Sequence, residues 1–388
     1  MRWYCLACLL VLYLASPAGP AQYGNDEDEG IVQSGQVWAE KPLASYPVVD
    51  CHLHLGDREE DFDLAVKVMD ASGVAVAVDL SGGTGERLRA KLKYAAKYPG
   101  RFVIFCGFPF GEEDKDNPDV GAKLAASLAD SIGAGAKGCG EMGSSVVHLR
   151  HTWDDQRLNP FWEKAVELKV PLNWHTGQPA RYWRPESPYN RIEGDSLYHN
   201  YPKTQHAALR ERDAVLDRYP DLLVIACHSS YAADQVPYLT YLMEKYPNLY
   251  VDIDATLEEW GKRPYEFYDF CVEYQDRILY GTDWNVSTGA VEYSGSPEKT
   301  VEDWKAFSLA HYLFLSTDQL MIPCPFNGNQ GRYLTHRVNG FPRYAHDGVN
   351  LPDEVLRKIY YKNAEKLFGI KVEDWKPPQP VTWPTLKE

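Results

Sequence analysis

Short apolar runs alternate with amphipathic segments along most of this chain of 388 residues. The runs are rich in Val, Ile, Leu and Ala, a composition typical of β-strands that are buried on both faces. They predict eight strands, at 47–52, 74–80, 102–108, 135–141, 170–175, 222–228, 248–254 and 278–283.

Segments with apolar residues at helical spacing separate these runs and predict helices, among them 58–72, 119–132, 204–219 and 351–368. The last begins after Leu351-Pro352-Asp353 and ends at Phe368-Gly369, a pattern of proline at the start and glycine at the end. Strands that alternate with helices form parallel βαβ units. Eight such units predict a (β/α)8 TIM barrel, an α/β fold, with an open doubly wound sheet as the alternative.

The first residues predict a secretory signal peptide over 1–21. Arg2 supplies a short positive region, residues 5–14 form an apolar stretch too short to cross a bilayer, and small residues follow. A buried N-terminal helix and an uncleaved membrane anchor are the alternatives. The signal predicts a secreted or periplasmic protein that has no membrane contact after cleavage.

Three further segments follow the signal. Residues 22–46 are acidic and predict a flexible leader, 47–370 form the barrel domain, and 371–388 form a C-terminal tail. Cysteines in the predicted strands are expected to be small buried apolar residues rather than a disulfide framework; they are Cys51, Cys106, Cys139 and Cys227. Cys271 and Cys324 could pair, which the sequence does not decide.

The net charge of −15 argues against nucleic acid as a partner, because phosphate binding requires clustered Lys and Arg. With 44% hydrophobic residues the chain can form a large core, and its 26 Tyr and 11 Trp suit a ligand cleft as well as ordinary packing. A small-molecule substrate is the expected partner. The sequence leaves open whether the chain forms a homo-oligomer.

Candidate metal ligands stand at the ends of the predicted strands. His52 and His54 lie at i and i+2 on the first strand, so their side chains face the same way. Later strands end in further polar residues: Glu141, His175, His228 and Asp283. Barrel enzymes carry their active sites at the C-terminal ends of the strands, so these side chains are expected to converge on one mouth.

Each of these residue types has a chemical reason to be there. Imidazole is a good zinc ligand, and a carboxylate at Asp283 can both bind metal and accept a proton from a bound water whose pKa falls from about 16 to about 7. His228 suits either a second ligand or a general acid or base. Glu141 could bridge two ions, bind one ion, bind substrate or form an ordinary salt bridge. Lys137 lies four residues before Glu141 on the same predicted strand, so its side chain should also face the barrel interior. The structural alternatives are core histidines and a helix N-cap at Asp283.

These residues resemble the amidohydrolase superfamily, in particular the amidohydrolase-related branch that includes aminocarboxymuconate-semialdehyde decarboxylase. The resemblance covers about 47–370 and rests on 50–54 (DCHLH), 135–138 (GAKG), 281–283 (GTD), 359–369 and the histidines of strands five and six. It implies one divalent ion, usually zinc, bound by four residues: His52, His54, His175 and Asp283.

The resemblance also implies chemical roles. His228 would polarise or protonate the substrate, and Asp283 would activate water in hydrolytic members. Glu141 resembles the bridging glutamate of the superfamily's metal-dependent deoxyribonuclease branch, so a two-metal site stays open.

Loops at the predicted mouth carry candidate substrate-binding residues: Arg181, Arg184 and Trp284. Arginine can grip a carboxylate with two hydrogen bonds and tryptophan offers a flat face for a ring, so the expected substrate is small and anionic or ring-containing. The leading hypothesis is a metal-dependent hydrolase in which activated water attacks the carbonyl of an amide, ester or lactone. The alternatives are a non-oxidative decarboxylase on the same metal site and a secreted binding protein without turnover.

Overall fold

The apolar runs fold into one sheet of nine strands, all paired in parallel. Their order in the sheet is β8-β7-β6-β5-β4-β3-β2-β1-β9. The strands are β1 (Val48–Leu55), β2 (Val74–Asp79), β3 (Phe102–Cys106), β4 (Gly138–Met142), β5 (Leu172–Trp174), β6 (Val224–Ala226), β7 (Leu249–Asp252), β8 (Ile278–Leu279) and β9 (Trp284–Val286).

The structure is a computed structural model. It describes residues 46–143, 152–177, 205–287, 296–320, 322–323, 337–338, 341–342 and 345–381. These residues belong to a compact unit that spans Pro42–Pro384. The expected signal peptide and nearly all of the expected leader lie outside the described residues, as does the end of the tail.

Strands β8 and β9 are two halves of one barrel strand. β8 pairs with β7, while β9 pairs with β1 on the other side of the gap. The residues between the halves also run along β1, because Cys51 N–H donates to the Tyr280 carbonyl at 2.9 Å and Asp283 N–H donates to the His52 carbonyl at 2.8 Å. The sheet therefore closes on itself, which confirms the (β/α)8 barrel and excludes the open sheet.

Helices cover the outside of the sheet. They are α1 (Glu59–Ser72), α2 (Gly85–Ala95), α3 (Val120–Ala134), α4 (Asn159–Leu168), α5 (Gln205–Arg218), α6 (Val236–Lys245), α7 (Leu257–Trp260), α8 (Pro264–Glu273), α9 (Pro297–Ser316), α10 (Asp353–Arg357) and α11 (Asn363–Phe368). Two short antiparallel pairs, Ile322–Pro323 with Ala345–His346 and Arg337–Val338 with Phe341–Pro342, lie outside the barrel sheet. None of the described helices has the length and apolarity that a bilayer span requires.

The predicted helix 351–368 has the expected ends but an irregular middle. It starts after Pro352 and ends at Gly369, which adopts a positive φ of 66°. Between α10 and α11 the residues Lys358–Lys362 form a π-helical turn. The carbonyl of Ile359 in this turn accepts the N–H of Tyr280 at 3.0 Å, so the turn attaches the helix to the barrel wall beyond β8.

The strand residues are buried as their apolar pattern predicts. Every residue of β2 and of β7 is buried, as strands covered on both faces should be. The four strand cysteines are buried free thiols, and so is Cys271; Cys324 lies outside the described residues. Lys137 is a correction to the predicted parity, because it precedes β4 and is exposed rather than facing the interior.

Candidate metal centre

The two histidines of β1 are held from behind so that their outer nitrogens face the barrel mouth. His52 is fully buried, and its Nδ1 lies 3.2 Å from Asp252 Oδ2 and 3.1 Å from Asp254 Oδ2. His54 is 20% exposed, and its Nδ1 hydrogen-bonds Ser81 Oγ at 2.8 Å. Partners on one ring nitrogen fix the orientation of an imidazole and leave the other nitrogen for a metal.

The first ligand set joins these nitrogens to Asp283. Asp283 Oδ1 lies 3.3 Å from His54 Nε2 and 3.6 Å from His52 Nε2, and Glu141 Oε2 lies 3.4 Å from His54 Nε2. Ligand atoms that lie 2.0–2.1 Å from a tetrahedral zinc ion are about 3.3–3.4 Å from one another. The spacing of this set therefore matches one divalent ion.

Asp283 reaches this position through the break between β8 and β9. Its φ of +58° takes the chain out of the strand conformation. The residue before it is anchored to Asp50, whose carboxylate accepts from Thr282 N–H at 3.1 Å and from Thr282 Oγ1 at 2.6 Å. Burial raises the pKa of Asp50 to about 7. Gly281 lets these segments meet, since a Cβ there would lie 3.0 Å from side-chain carbons of both His52 and Asp254.

A second ligand set shares Glu141 with the first. Glu141 Oε1 lies 3.5 Å from His228 Nε2 and 3.7 Å from His175 Nε2, and the ligand atoms of these three residues lie within 4.8 Å of one another. In the described part of the chain, His175 is thus grouped with His228 rather than with the His52–His54 pair.

Two buried atoms at the junction of the sets indicate that a cation fits there. Among the described residues, His52 Nε2 and Glu141 Oε1 make no hydrogen bond, although both are shielded from water. Buried polar atoms normally have a partner, and an ion would supply it. The donor set of imidazole nitrogens and carboxylate oxygens suits zinc and similar divalent ions.

Glycine brings Glu141 close to the neighbouring strand. Gly140 precedes it in β4 with a φ of +151°, and a Cβ there would lie 2.7 Å from the carbonyl oxygen of Asn173 in β5. Only glycine allows this approach without displacing the backbone.

His228 lies on a left-handed turn rather than on a strand. The predicted strand 222–228 is shorter than expected, because β6 ends at Ala226. Beyond it come four successive residues with φ between +50° and +62°: His228, Ser229, Ser230 and Tyr231. Each costs about 1–2 kcal/mol for an L-residue. Part of what holds the turn is Asp252, whose Oδ1 accepts His228 N–H at 2.6 Å and whose carbonyl accepts Ser229 Oγ at 3.2 Å.

Asp252 and Asp254 are the site residues that the sequence reasoning missed. Both are fully buried. Asp254 Oδ2 lies 2.8 Å from His228 Nδ1 as well as 3.1 Å from His52 Nδ1, so one carboxylate orients two histidines. The signal was available, since the two aspartates stand at i and i+2 at the end of β7, the same spacing that singled out His52 and His54.

Carboxylates raise the pKa values of the β1 histidines. Burial alone would lower the pKa of His52, but the carboxylates of Asp254 and Asp252 outweigh burial and raise the pKa to about 9. Burial is likewise outweighed at His54, where Asp283 and Glu141 raise the pKa to about 10. The surrounding carboxylates therefore favour positive charge at these rings, whether it is a proton or a metal ion that replaces the proton.

The second set shows the opposite balance at His175. Burial lowers the pKa of His175 to about 4, which leaves the neutral imidazole that metals bind. Burial would raise the pKa of Glu141, but His175 and the other histidines hold it well below its usual range. Glu141 is thus an ionised carboxylate, the form that can bridge two cations.

The structure describes one of the three predicted substrate-binding residues. Arg181 and Arg184 lie outside the described residues. Trp284 opens β9 and is 6% exposed, with its ring centroid 5.1 Å from that of Trp304 and 5.3 Å from that of Phe307, both in α9. The described ring contacts of Trp284 are with the helix layer.

A closed barrel that gathers four histidines and two carboxylates at its strand ends defines a metal-dependent barrel enzyme. The chain belongs to the amidohydrolase family, whose sequence model, described as Amidohydrolase, matches residues 49–370. Membership confirms the resemblance seen in the motifs and identifies a metal-dependent enzyme.

Several solved structures are similar in fold. An uncharacterized TIM-barrel protein from Bordetella bronchiseptica is 16% identical with a TM-score of 0.47, over 83% of this chain and 98% of that chain. The 5-carboxyvanillate decarboxylase from Novosphingobium aromaticivorans, complexed with manganese, is 15% identical with a TM-score of 0.45, over 84% and 97%. A TatD homolog from Escherichia coli is 14% identical with a TM-score of 0.42, over 84% and 98%. Comparison with curated proteins gave no match.

Proposed function

We propose that this chain is a metal-dependent hydrolase whose site holds two divalent ions that share Glu141. One observation carries the proposal: the carboxylate of Glu141 lies between the two ligand sets. Its Oε2 is 3.4 Å from His54 Nε2, and its Oε1 is 3.5 Å, 3.7 Å and 3.9 Å from the Nε2 atoms of His228, His175 and His52. Paired metal ions are common in hydrolases, where they clamp the attacking and leaving oxygens.

The site residues have separate roles in binding metal and in transferring protons. His52, His54 and Asp283 would hold one ion, and His175 and His228 would hold the other; zinc is the ion that this donor set suits best. When bound, such ions polarise a carbonyl and lower the pKa of water from about 16 to about 7. Asp283 is 15% exposed at the mouth, so its carboxylate can accept a proton from the attacking water and return it to the leaving group.

The substrate we propose is a small molecule with a reactive carbonyl, such as an amide, ester or lactone. Three parts of the proposal rest on the sequence alone: an anionic group gripped by Arg181 and Arg184, export from the cytoplasm through the N-terminal signal, and self-association. The net charge of −15 disfavours a nucleic-acid substrate.

The proposal is tested with zinc-loaded protein, a panel of lactones, N-acyl amides, esters and aromatic acids, and water enriched in heavy oxygen. Hydrolysis incorporates one heavy oxygen into the product acid. We expect such incorporation with at least one carbonyl class, and a fall in kcat of about 10²- to 10⁴-fold for Asp283→Asn. Asp130→Asn, at an exposed ion pair with Arg89, should change neither. Release of carbon dioxide without incorporation would instead identify the decarboxylase alternative.

A further inference from the structure

The phenol of Tyr231 lies inside the second ligand set. Its hydroxyl hydrogen-bonds Nε2 of His175. Its ring centroid is 4.8 Å from that of His175 and 4.7 Å from that of His228. The side chain is almost fully buried, at 6% exposure. Tyr231 therefore touches the atoms that would face an ion.

The left-handed turn fixes the backbone of Tyr231. It is the fourth successive residue with a positive φ, at 53°. Its N–H donates to the His228 carbonyl at 2.9 Å, and its carbonyl accepts from Gln205 Nε2 at 3.1 Å. The ring is thus carried by a segment that is bonded on both sides.

A buried arginine ties this turn to the strand that carries His175. Arg212 in α5 is fully buried. Its Nη1 donates to Ser230 Oγ, next to Tyr231, and to Thr176 Oγ1, next to His175, the latter at 3.3 Å. These hydrogen bonds of Arg212 therefore fix the contact between Tyr231 and His175.

The phenol and a divalent ion compete for one lone pair. The Tyr231 hydroxyl hydrogen-bonds His175 Nε2, and this nitrogen accepts the hydroxyl in the tautomer that metal binding requires. The same nitrogen is the ligand atom that lies within 4.8 Å of the ligand atoms of Glu141 and His228. Once the lone pair binds a metal, the hydroxyl needs another acceptor. Because the ring lies between His175 and His228, the hydroxyl is placed to donate to an oxygen that arrives at the ions.

We propose that Tyr231 is a catalytic residue that donates a hydrogen bond from its hydroxyl to the substrate's carbonyl oxygen as negative charge develops there. This inference rests on the proposed hydrolase function. It involves no covalent step, since the hydroxyl keeps its proton and exchanges one acceptor, His175 Nε2, for another. Preorganised donors of this kind stabilise the transition state more than the bound substrate.

The test compares Tyr231→Phe with a control, Tyr246→Phe. Tyr246 directly follows α6, and its hydroxyl also makes a hydrogen bond, to Asp217 in α5 at 2.7 Å. In zinc titrations, Tyr231→Phe should bind the weaker-binding ion about threefold to tenfold more tightly, because no hydrogen bond to His175 must be broken. With a hydrolysed substrate, kcat should fall about 10²- to 10³-fold while KM changes little. Tyr246→Phe should match the wild type in both.

Three results would overturn the inference. Weaker binding, or loss of one ion, in Tyr231→Phe would make the phenol a metal ligand. Unchanged affinity would show that it does not compete for His175. Unchanged kcat in an active enzyme would make it a packing residue. The zinc titration needs no substrate, so it judges Tyr231 even if the wild-type protein hydrolyses nothing, which is the result that would defeat the proposed function itself.

Discussion

Asp254 shows how much of the site depends on one buried side chain. Its carboxylate faces Nδ1 of both His52 and His228, at 3.1 Å and 2.8 Å. The positive partners lower the pKa of Asp254 against the opposing effect of burial, so it is a permanent negative charge behind the two rings. Carboxylates in this position orient histidine ligands and increase their basicity.

Replacing Asp254 with Asn keeps the shape and removes the charge. We expect Asp254→Asn to weaken zinc binding about 10- to 100-fold, as loss of such outer partners does in other metal sites. A competition titration against a chelator of known affinity measures this. Asp269→Asn, at an exposed position of α8, is the matched control. Equal affinities of the two variants would show that Asp254 does not orient the ligands.

The sequence predicts the histidines of this site better than their supports. The period of two in a strand places His52 and His54 on one face, and the same rule places Asp252 and Asp254 on one face at the end of β7. Tyr231 could not have been found in this way. It reaches His175 because the chain turns left-handed beyond β6, and strand periodicity ends where such a turn begins.

Several strands of the barrel end earlier than their apolar runs predict, and in two of them the early end positions a site residue. Strand β6 stops before His228, and β8 stops before Asp283. Both residues have a positive φ, at 54° and 58°, which a strand cannot contain. Strand patterns report burial and not dihedral angles, so sequence placed these two side chains at the mouth but could not give the backbone that aims them.

The left-handed turn depends on Arg212. Removing this buried cation would leave Ser230 and Thr176 without their donor and the Asp213 carboxylate without its partner at 2.9 Å. We expect Arg212→Met to lower the free energy of unfolding by about 1–3 kcal/mol, because buried hydroxyl groups lose a charged hydrogen-bond donor. Urea unfolding measures this. Arg210→Met, at an exposed position of the same helix, should stay within about 0.5 kcal/mol of the wild type, and an equally small effect of Arg212→Met would contradict this role.

At the scale of the whole molecule, the metal centre joins distant parts of the barrel. Its ligands come from β1, β4, the segments that follow β5 and β6, and the break between β8 and β9. The closed barrel was predictable because eight buried runs alternate with helices. The split strand through which the barrel closes was not predictable, because the pairing of residues 280–286 with β1 depends on Asp50 and Thr282 rather than on an apolar pattern.

Bound metal should therefore stabilise the entire fold. Free zinc at 100 times its dissociation constant adds about 2.7 kcal/mol to the free energy of unfolding, which should raise Tm by several degrees in a thermal melt. His54→Ala removes a ligand of the first set and should reduce this shift, whereas His206→Ala, an exposed residue of α5, should preserve it. A melt that zinc does not move in the wild type would mean that the ions do not bind to the folded barrel.

The central claim is that Glu141 is shared by two ions, and counting the ions tests it most directly. Elemental analysis of zinc-reconstituted protein is done for the wild type, for Glu141→Ala and for Glu167→Ala, an exposed control in α4. We predict about two zinc ions per chain in the wild type and the control, and one or fewer in Glu141→Ala. One ion per chain in all three proteins would contradict the claim and favour a single ion bound by His52, His54, His175 and Asp283.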